Sequence, residues 1–322
     1  MCTAINYKTK DMYFGRTLDY EFSYGEKITI VPRNYNFNFK YQGNNSNHYA
    51  IIGMAHVDNN YPLFYEASNE VGLGIAGLNF VGNAKYNEYK EGSINIPQYE
   101  FISYILSNYK NIEEVKEALK NINITNDQYS KFPVAYLHWI ISDTNSSITV
   151  ESIDKGLMVY DNPVGVLANN PNFPIQLFNL NNYRNLSTKD PINSFNNQIE
   201  LNRYSRGMGG IGLPGDLSSM SRFVRATFSK LNSKSNEDEI SSVNQFFHIL
   251  NNVSQIRGLC EVNDSYEITI YTSCINLNKG IYYYTTYNNH QINKIDINKV
   301  DLDKNDLYIY DFLDKETINS QN

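Results

Sequence analysis

The apolar residues of this chain recur first at the two-residue period of strands and only later at helical spacing. Residues 3–7, 13–14 and 27–31 are short β-type runs separated by polar turns, the link 8–11 and Tyr24-Gly25-Glu26 among them. The runs 49–54, 63–67 and 71–80 continue the pattern, and Gly72, Gly74 and Gly77 in the last predict bulges or close backbone approach. After Pro97, suited to a first helical turn, the period changes: Phe101, Ile102, Ile105 and Leu106 share one helical stripe. Asn111, with Glu114 three residues on, reads as the capping pair of a second helix whose apolar face is Val115, Leu119 and Ile122. Strand patterns return at 134–142, 147–153, 157–161 and 164–168. Residues 186–206 are polar, Asn-rich and nearly aperiodic, which predicts a surface excursion. Helical stripes follow over 219–231 and 243–253, then strands at 267–277, 280–286 and 307–312. Strands, helices, strands, helices, strands are most simply covered on every apolar face by an α+β fold, a four-layer αββα sandwich. With no repeat and no break in composition, residues 1–322 are expected to form one domain.

Composition narrows the class. The hydrophobic fraction of 41% marks a globular chain, and 27 tyrosines suit half-buried sheet surfaces. A net charge of -7 without a long basic run argues against nucleic acid or an anionic membrane as partner. No run of apolar residues is long enough for a membrane span, and none behind Lys8 and Lys10 forms a leader, so a cytoplasmic location is expected. Cys2, Cys260 and Cys274 are odd in number and have no CxxC spacing, so the thiols are read as reduced, with neither a disulfide framework nor a zinc site.

Several candidate motifs carry no chemistry. Gly207, Gly209 and Gly212 spell GxGxxG, but a polar loop precedes them and Leu213-Pro214 follows, where a dinucleotide fingerprint needs a strand and a helix. The five histidines have no ligand spacing, and His138 beside Trp139 is expected to be half-buried. No cofactor or metal is implied. Cys2 is different. Loss of Met1 would leave one residue carrying a thiol, normally titrating near ~8.5, and an α-amine near ~7.7–8.0 able to accept its proton. A hairpin through 14–19 would bring Arg16 and Asp19 back to that terminus: guanidinium near the sulfur favours thiolate, and a carboxylate can hold the amine.

Seven separated segments then carry a resemblance: Met1-Cys2-Thr3, the run 14–19, Asn69-Glu70-Val71-Gly72-Leu73-Gly74, the run 76–80, Leu167-Ala168-Asn169-Asn170-Pro171, Gly212-Leu213-Pro214-Gly215-Asp216 with Ser221-Arg222-Phe223, and Tyr271-Thr272-Ser273-Cys274. In this order they resemble the choloylglycine hydrolase family, the bile salt hydrolases and penicillin V acylases among the N-terminal nucleophile hydrolases. The resemblance implies an αββα fold, attack by Cys2 on a substrate amide, and catalytic roles for Arg16, Asp19, Asn79, Asn169 and Arg222, the two asparagines at the oxyanion hole. It also implies a small-molecule substrate, no metal or cofactor, and a homotetramer, with 186–206 a candidate contact. Asn79 stands where bile salt hydrolases typically have Asn and penicillin V acylases more often Tyr, which favours conjugated bile acids over penicillin V or acyl homoserine lactones. The loop 56–60 and residues 126–128 are more polar than loops that usually cradle a steroid, while Leu18, Tyr20, Phe22 and Tyr65 are candidates for an apolar wall or ordinary core. From another class, a tyrosine-rich binding module with an inert Cys2 would leave the motif order unexplained.

Overall fold

The computed structural model describes residues 1–322. Its six-stranded antiparallel sheet runs, edge to edge, Val166–Leu167, Cys2–Lys8, Met12–Tyr20, Ile268–Asn276, Ile281–Thr286 and Asn289–Asp296. An eight-stranded sheet runs Gly156–Asp161, Ser147–Ile153, Leu137–Ser142, Gly74–Asn79, Tyr61–Asn69, Ile51–Asp58, Lys27–Val31 and Tyr308–Tyr310. The sheets face one another where Cys2–Lys8 and Met12–Tyr20 lie against Gly74–Asn79. The helix Phe101–Asn108 packs on the outside of the larger sheet, and the helices Ser219–Asn232 and Glu239–Asn251 on the outside of the smaller. This is the four-layer αββα sandwich expected from the order of elements. No helix is long and apolar enough to cross a membrane.

Local chemistry explains the boundaries. Asn111 caps its helix by accepting from Glu114 N at 2.9 Å, and Ser218 and Asp238 do the same for the two later helices. Pro97 ends a strand instead of opening a helix, and a short 3-10 turn carries the chain into Phe101. The strand expected over 71–80 is confined to Gly74–Asn79, because Gly72 turns with φ +95°. Likewise the strand expected over 134–142 begins only at Leu137, and the residues before it form an irregular segment. The 186–206 excursion contains no helix or strand and is mostly exposed. The GxGxxG stretch forms a 3-10 turn, Met208–Gly210, behind that exposed loop, with no helix opening on it.

The hairpin of Cys2–Lys8 and Met12–Tyr20 positions the chain terminus. Its register sets Cys2 opposite Leu18 and Ala4 opposite Arg16. Gly15 is required beside Arg16, since a Cβ there would lie 2.0 Å from the Ser273 carbonyl oxygen of the next strand. That next strand shifts register between Thr269 and Tyr271, so Thr269 faces Asp19 while Tyr271 faces Leu18.

Candidate active site

Cys2 lies at the end of a central strand, buried to 5% exposure, and Arg16 donates from Nη2 to its sulfur. The guanidinium is fixed from every side: Nε donates to the Thr17 carbonyl at 3.2 Å, and Nη1 to the Gly77 carbonyl at 2.5 Å and the Tyr65 carbonyl at 3.3 Å. Burial works against this charge, but the Cys2 sulfur, Tyr271, Glu66 and Asp19 together push the Arg16 pKa above its ordinary value. Behind Arg16, Glu66 lies fully buried with Oε2 3.9 Å from Nε, and it accepts from the Tyr271 and Tyr282 hydroxyls at 2.6 Å each. Burial pushes Glu66 up to about 7, opposed by Arg16 and the hydroxyl donors.

Around the amide nitrogen of Cys2 a second network forms. Asn169 Oδ1 accepts from Cys2 N at 2.7 Å and from Arg222 Nη2 at 2.8 Å. Because a guanidinium has no acceptor, this fixes the orientation of the Asn169 amide: Nδ2 points out and donates to the Asn79 carbonyl at 2.8 Å. One further N–H of Nδ2 is left over. Arg222, fully buried, also donates from Nη1 to the Cys2 carbonyl at 2.5 Å and to Thr3 Oγ1 at 2.6 Å. Asp19 accepts from Thr269 Oγ1 at 2.6 Å and Thr17 Oγ1 at 3.0 Å, with Arg222 4.0 Å away. Burial pushes its carboxyl pKa up, against the pull of the chain N-terminus and Arg222. The Met1 ammonium pairs with Glu267 and the Asp19 carbonyl.

A cleft of about 360 Å³ opens over Cys2 and is walled by Leu18, Tyr20, Tyr65, Phe132, Val134 and Ala135, with Asn79 at its side. A second apolar cavity of about 200 Å³ continues it past Tyr24, Tyr65 and Phe132 toward Leu63 and Ile102. Thus all six polar candidates, Cys2, Arg16, Asp19, Asn79, Asn169 and Arg222, converge on one place, and three of the four wall candidates join them. Phe22 does not line the cleft; it is 51% exposed and packs its ring against Tyr20 and Tyr24. Polar residues in 56–60 and 126–128 mostly turn elsewhere: Asp127 takes Lys40 and Thr125, and only His56 reaches the apolar cavity.

His138 corrects its expected half-burial. It is wholly buried, stacked on Phe80 with ring centroids 4.1 Å apart, with Nδ1 3.0 Å from Glu151 and Nε2 donating to the Ala168 carbonyl at 2.8 Å. Phe80 and Ala168 adjoin Asn79 and Asn169, so this ring braces both asparagines. Sequence alone does not single out Glu66, Tyr282, Glu267 or the 132–135 segment. Their available signals were a carboxylate inside the apolar run 63–67 and one at the head of 267–277. No group of three or more His, Cys, Asp or Glu side chains is arranged to hold a metal ion.

A nucleophile braced in this way, beside an amide-oriented asparagine, suits acyl transfer, and a sequence model of the linear amide C–N hydrolases, choloylglycine hydrolase family, matches residues 2–310. The chain belongs to the choloylglycine hydrolase family. It is therefore a hydrolase of linear amide C–N bonds. This choloylglycine hydrolase family member is 54% identical over 297 residues, 92% of each chain, to a bile salt hydrolase/transferase of Lactiplantibacillus plantarum. It is 42% identical, across 100% of both chains, to a bile salt hydrolase/transferase of Clostridium perfringens. A crystal structure of the C2A conjugated bile acid hydrolase from Clostridium perfringens superposes with a TM-score of 0.92 at 41% identity over 100% of both chains. Penicillin V acylase from Agrobacterium tumefaciens shares the fold, with a TM-score of 0.76 at 22% identity over 96% of this chain and 91% of that one.

Proposed function

We propose that this chain is a bile salt hydrolase that cleaves the amide bond of glycine- or taurine-conjugated bile acids through Cys2. The observation that carries the reading is the Arg16 guanidinium on the Cys2 sulfur at the foot of a mostly apolar cleft. Removal of Met1 frees the Cys2 α-amine, which takes the thiol proton as the sulfur attacks the amide carbonyl. The remaining Asn169 Nδ2 proton and the Asn79 side chain are aimed at the resulting oxyanion. Asp19 holds the α-ammonium, which then protonates the departing glycine or taurine nitrogen as the C–N bond breaks and leaves a thioester. Water, deprotonated by the same amine, attacks the thioester, and Cys2 leaves as the bile acid departs. Leu18, Tyr20 and Tyr65 hold the apolar acyl part.

Residues 1–322 act as one domain in this reading, since each sheet draws strands from both ends of the chain. Three free cysteines suit the reducing cytoplasm. We assign the exposed apolar residues Ile192, Phe195 and Tyr204 of the excursion to the contact of a homotetramer. Deletion of 186–206 should then yield a smaller species by light scattering; an unchanged mass would remove that assignment.

Intact mass, with glycine and taurine release from conjugated bile acids, tests the catalytic reading. Loss of Met1 and release abolished in Cys2→Ala, by roughly 10⁴-fold or more, are expected. Loss of Met1 without release would move the substrate to penicillin V or acyl homoserine lactones. Retained Met1 in an active enzyme would overturn the amine's role.

A further inference from the structure

The segment that carries Asn169 lies between two elements: the short strand Val166–Leu167 ends before it, and the helix Phe173–Asn179 begins at its far end. Three wholly buried side chains hold its main chain. His138 Nε2 donates to the Ala168 carbonyl at 2.8 Å. Glu151 Oε1 accepts from Phe173 N at 2.8 Å and lies 3.0 Å from His138 Nδ1. Gln176 Oε1 accepts from Ala168 N at 3.3 Å, while its Nε2 donates to the Pro171 carbonyl at 2.5 Å and to the Asn169 carbonyl. The paired His138 and Glu151 therefore grip both ends of the segment, and Asn169 is suspended between them.

The grip is anchored in the larger sheet. His138 belongs to Leu137–Ser142 and Glu151 to Ser147–Ile153, neighbouring strands of that sheet. The Phe80 ring lies nearly parallel to the imidazole, at 6°, and so fixes its plane. A carbonyl oxygen only accepts, so Nε2 carries a proton. The line from Nδ1 to Oε1 holds one more, on the imidazole or on the carboxyl, and the pair is neutral overall in both cases. A buried pair of this kind adds little stability over apolar side chains of the same volume. What it supplies is direction, at the Ala168 carbonyl and at Phe173 N. Neither residue lines the cleft over Cys2, so neither touches substrate there.

We propose that His138, held by Glu151, is a positioning residue for the oxyanion donor: it sets the Asn169 carboxamide relative to Cys2 through the main chain of 168–173. The proposal rests on the oxyanion role given to Asn169 above; the grip itself does not. Misplacement of a reacting contact by about 1 Å can cost about 10²-fold in rate, which is the scale on which loss of the grip should be felt.

The test joins steady-state kinetics on a glycine-conjugated bile acid with hydrogen exchange of the full chain, read by mass spectrometry over 167–173. His138→Leu removes both hydrogen bonds, and His138→Gln restores a donor to the Ala168 carbonyl. In His138→Leu, kcat is expected to fall about tenfold to 10²-fold with KM changed less than about twofold, and His138→Gln should recover part of the loss. Glu151→Gln keeps the side-chain volume, yet one amide oxygen cannot serve Phe173 N and a neutral imidazole that also donates to Ala168. It should lower kcat in the same sense and serves where His138→Leu fails to fold. Placed on Asn169→Ala, His138→Leu should cost less than about twofold more, because the group it positions is gone. Losses that multiply instead would give His138 a structural role independent of Asn169 and overturn the proposal, as would an unchanged kcat in His138→Leu. Faster exchange over 167–173 in both single variants is expected, and unchanged exchange overturns the grip. If Asn169→Ala alone leaves kcat unchanged, the oxyanion reading fails and the positioning role falls with it, while exchange still reports the grip.

Discussion

At the Cys2 end of the cleft each buried polar side chain is gripped from several strands, whereas the Phe132 end is a loop wall with little holding it. Arg16 alone is bonded to a side chain and three carbonyls drawn from three strands and Cys2, and Asn169 joins Cys2, Arg222 and Asn79. By contrast, residues 132–136 lie outside regular structure, and Pro133, Ala135 and Tyr136 are exposed. The difference teaches where each property of the enzyme is stored. Charge placement needs sub-ångström constraint and is supplied by sheet register; shape for an apolar acyl group tolerates movement and is supplied by a loop. Substitutions at the first end should therefore act on kcat, and those at the second on KM or preference.

The comparison breaks most visibly at Asn169. Asn169→Ala removes the acceptor of both Cys2 N and Arg222 together with the proposed oxyanion donor, and kcat is expected to fall by about 10²–10³. Steady-state kinetics with KM changed more than kcat would place Asn169 on the substrate-holding side instead.

Glu66 sharpens it through pH. Its pKa is raised in the folded chain from 4.5 to about 7 by burial. A raised carboxyl contributes stability that is complete below the unfolded value and is lost as pH climbs through the folded one. In Glu66→Gln this titration is absent, so the melting temperature of the parent relative to the variant should decline between about pH 5 and pH 8, on the order of several degrees. A difference flat with pH would mean that Arg16, Tyr271 and Tyr282 keep Glu66 ionised throughout. At the other end, Phe132→Ala should raise KM about fivefold to tenfold with kcat little changed, as expected for partial loss of one aromatic contact. An equal loss in kcat would tie the loop to positioning of the scissile bond.

Sequence reached the catalytic end far better than the wall, for a physical reason. Cys2, Arg16 and Asp19 share one hairpin, so their convergence follows from local strand pairing, and Asn79, Asn169 and Arg222 stood in segments whose order matched the family. Glu66 is different: its partners Tyr271 and Tyr282 lie 205 and 216 residues away, and only the packing of one sheet on the other brings them together. The 132–135 wall has no period to reveal it, and the apolar pattern extends a strand over residue 134 where the chain is irregular. The full burial of His138 is not legible in sequence, because its two partners, Glu151 and the Ala168 carbonyl, come from separate segments of the chain. The pattern of apolar positions captured the layers; it could not supply contacts made across them.

Asn79 sits on the boundary between the two ends, and it offers the smallest but most selective test. Its carbonyl accepts from Asn169 Nδ2, a main-chain contact that substitution preserves, while its side chain is exposed into the cleft near Val81 and Tyr136. Asn79→Tyr would therefore keep the Asn169 amide in place, remove one neutral hydrogen-bonding group, and extend an aromatic ring across the opening. A bulky fused-ring acyl group should lose room while a flat phenoxyacetyl group gains a stacking partner. The ratio of kcat/KM for penicillin V over a conjugated bile acid is expected to rise about threefold to tenfold, the scale on which a pocket separates apolar groups of different shape. An unchanged ratio would leave acyl preference to the loop wall alone: with both rates kept, the side chain at this position is a bystander, and with both lowered alike, it serves the proposed oxyanion contact without selecting the acyl group.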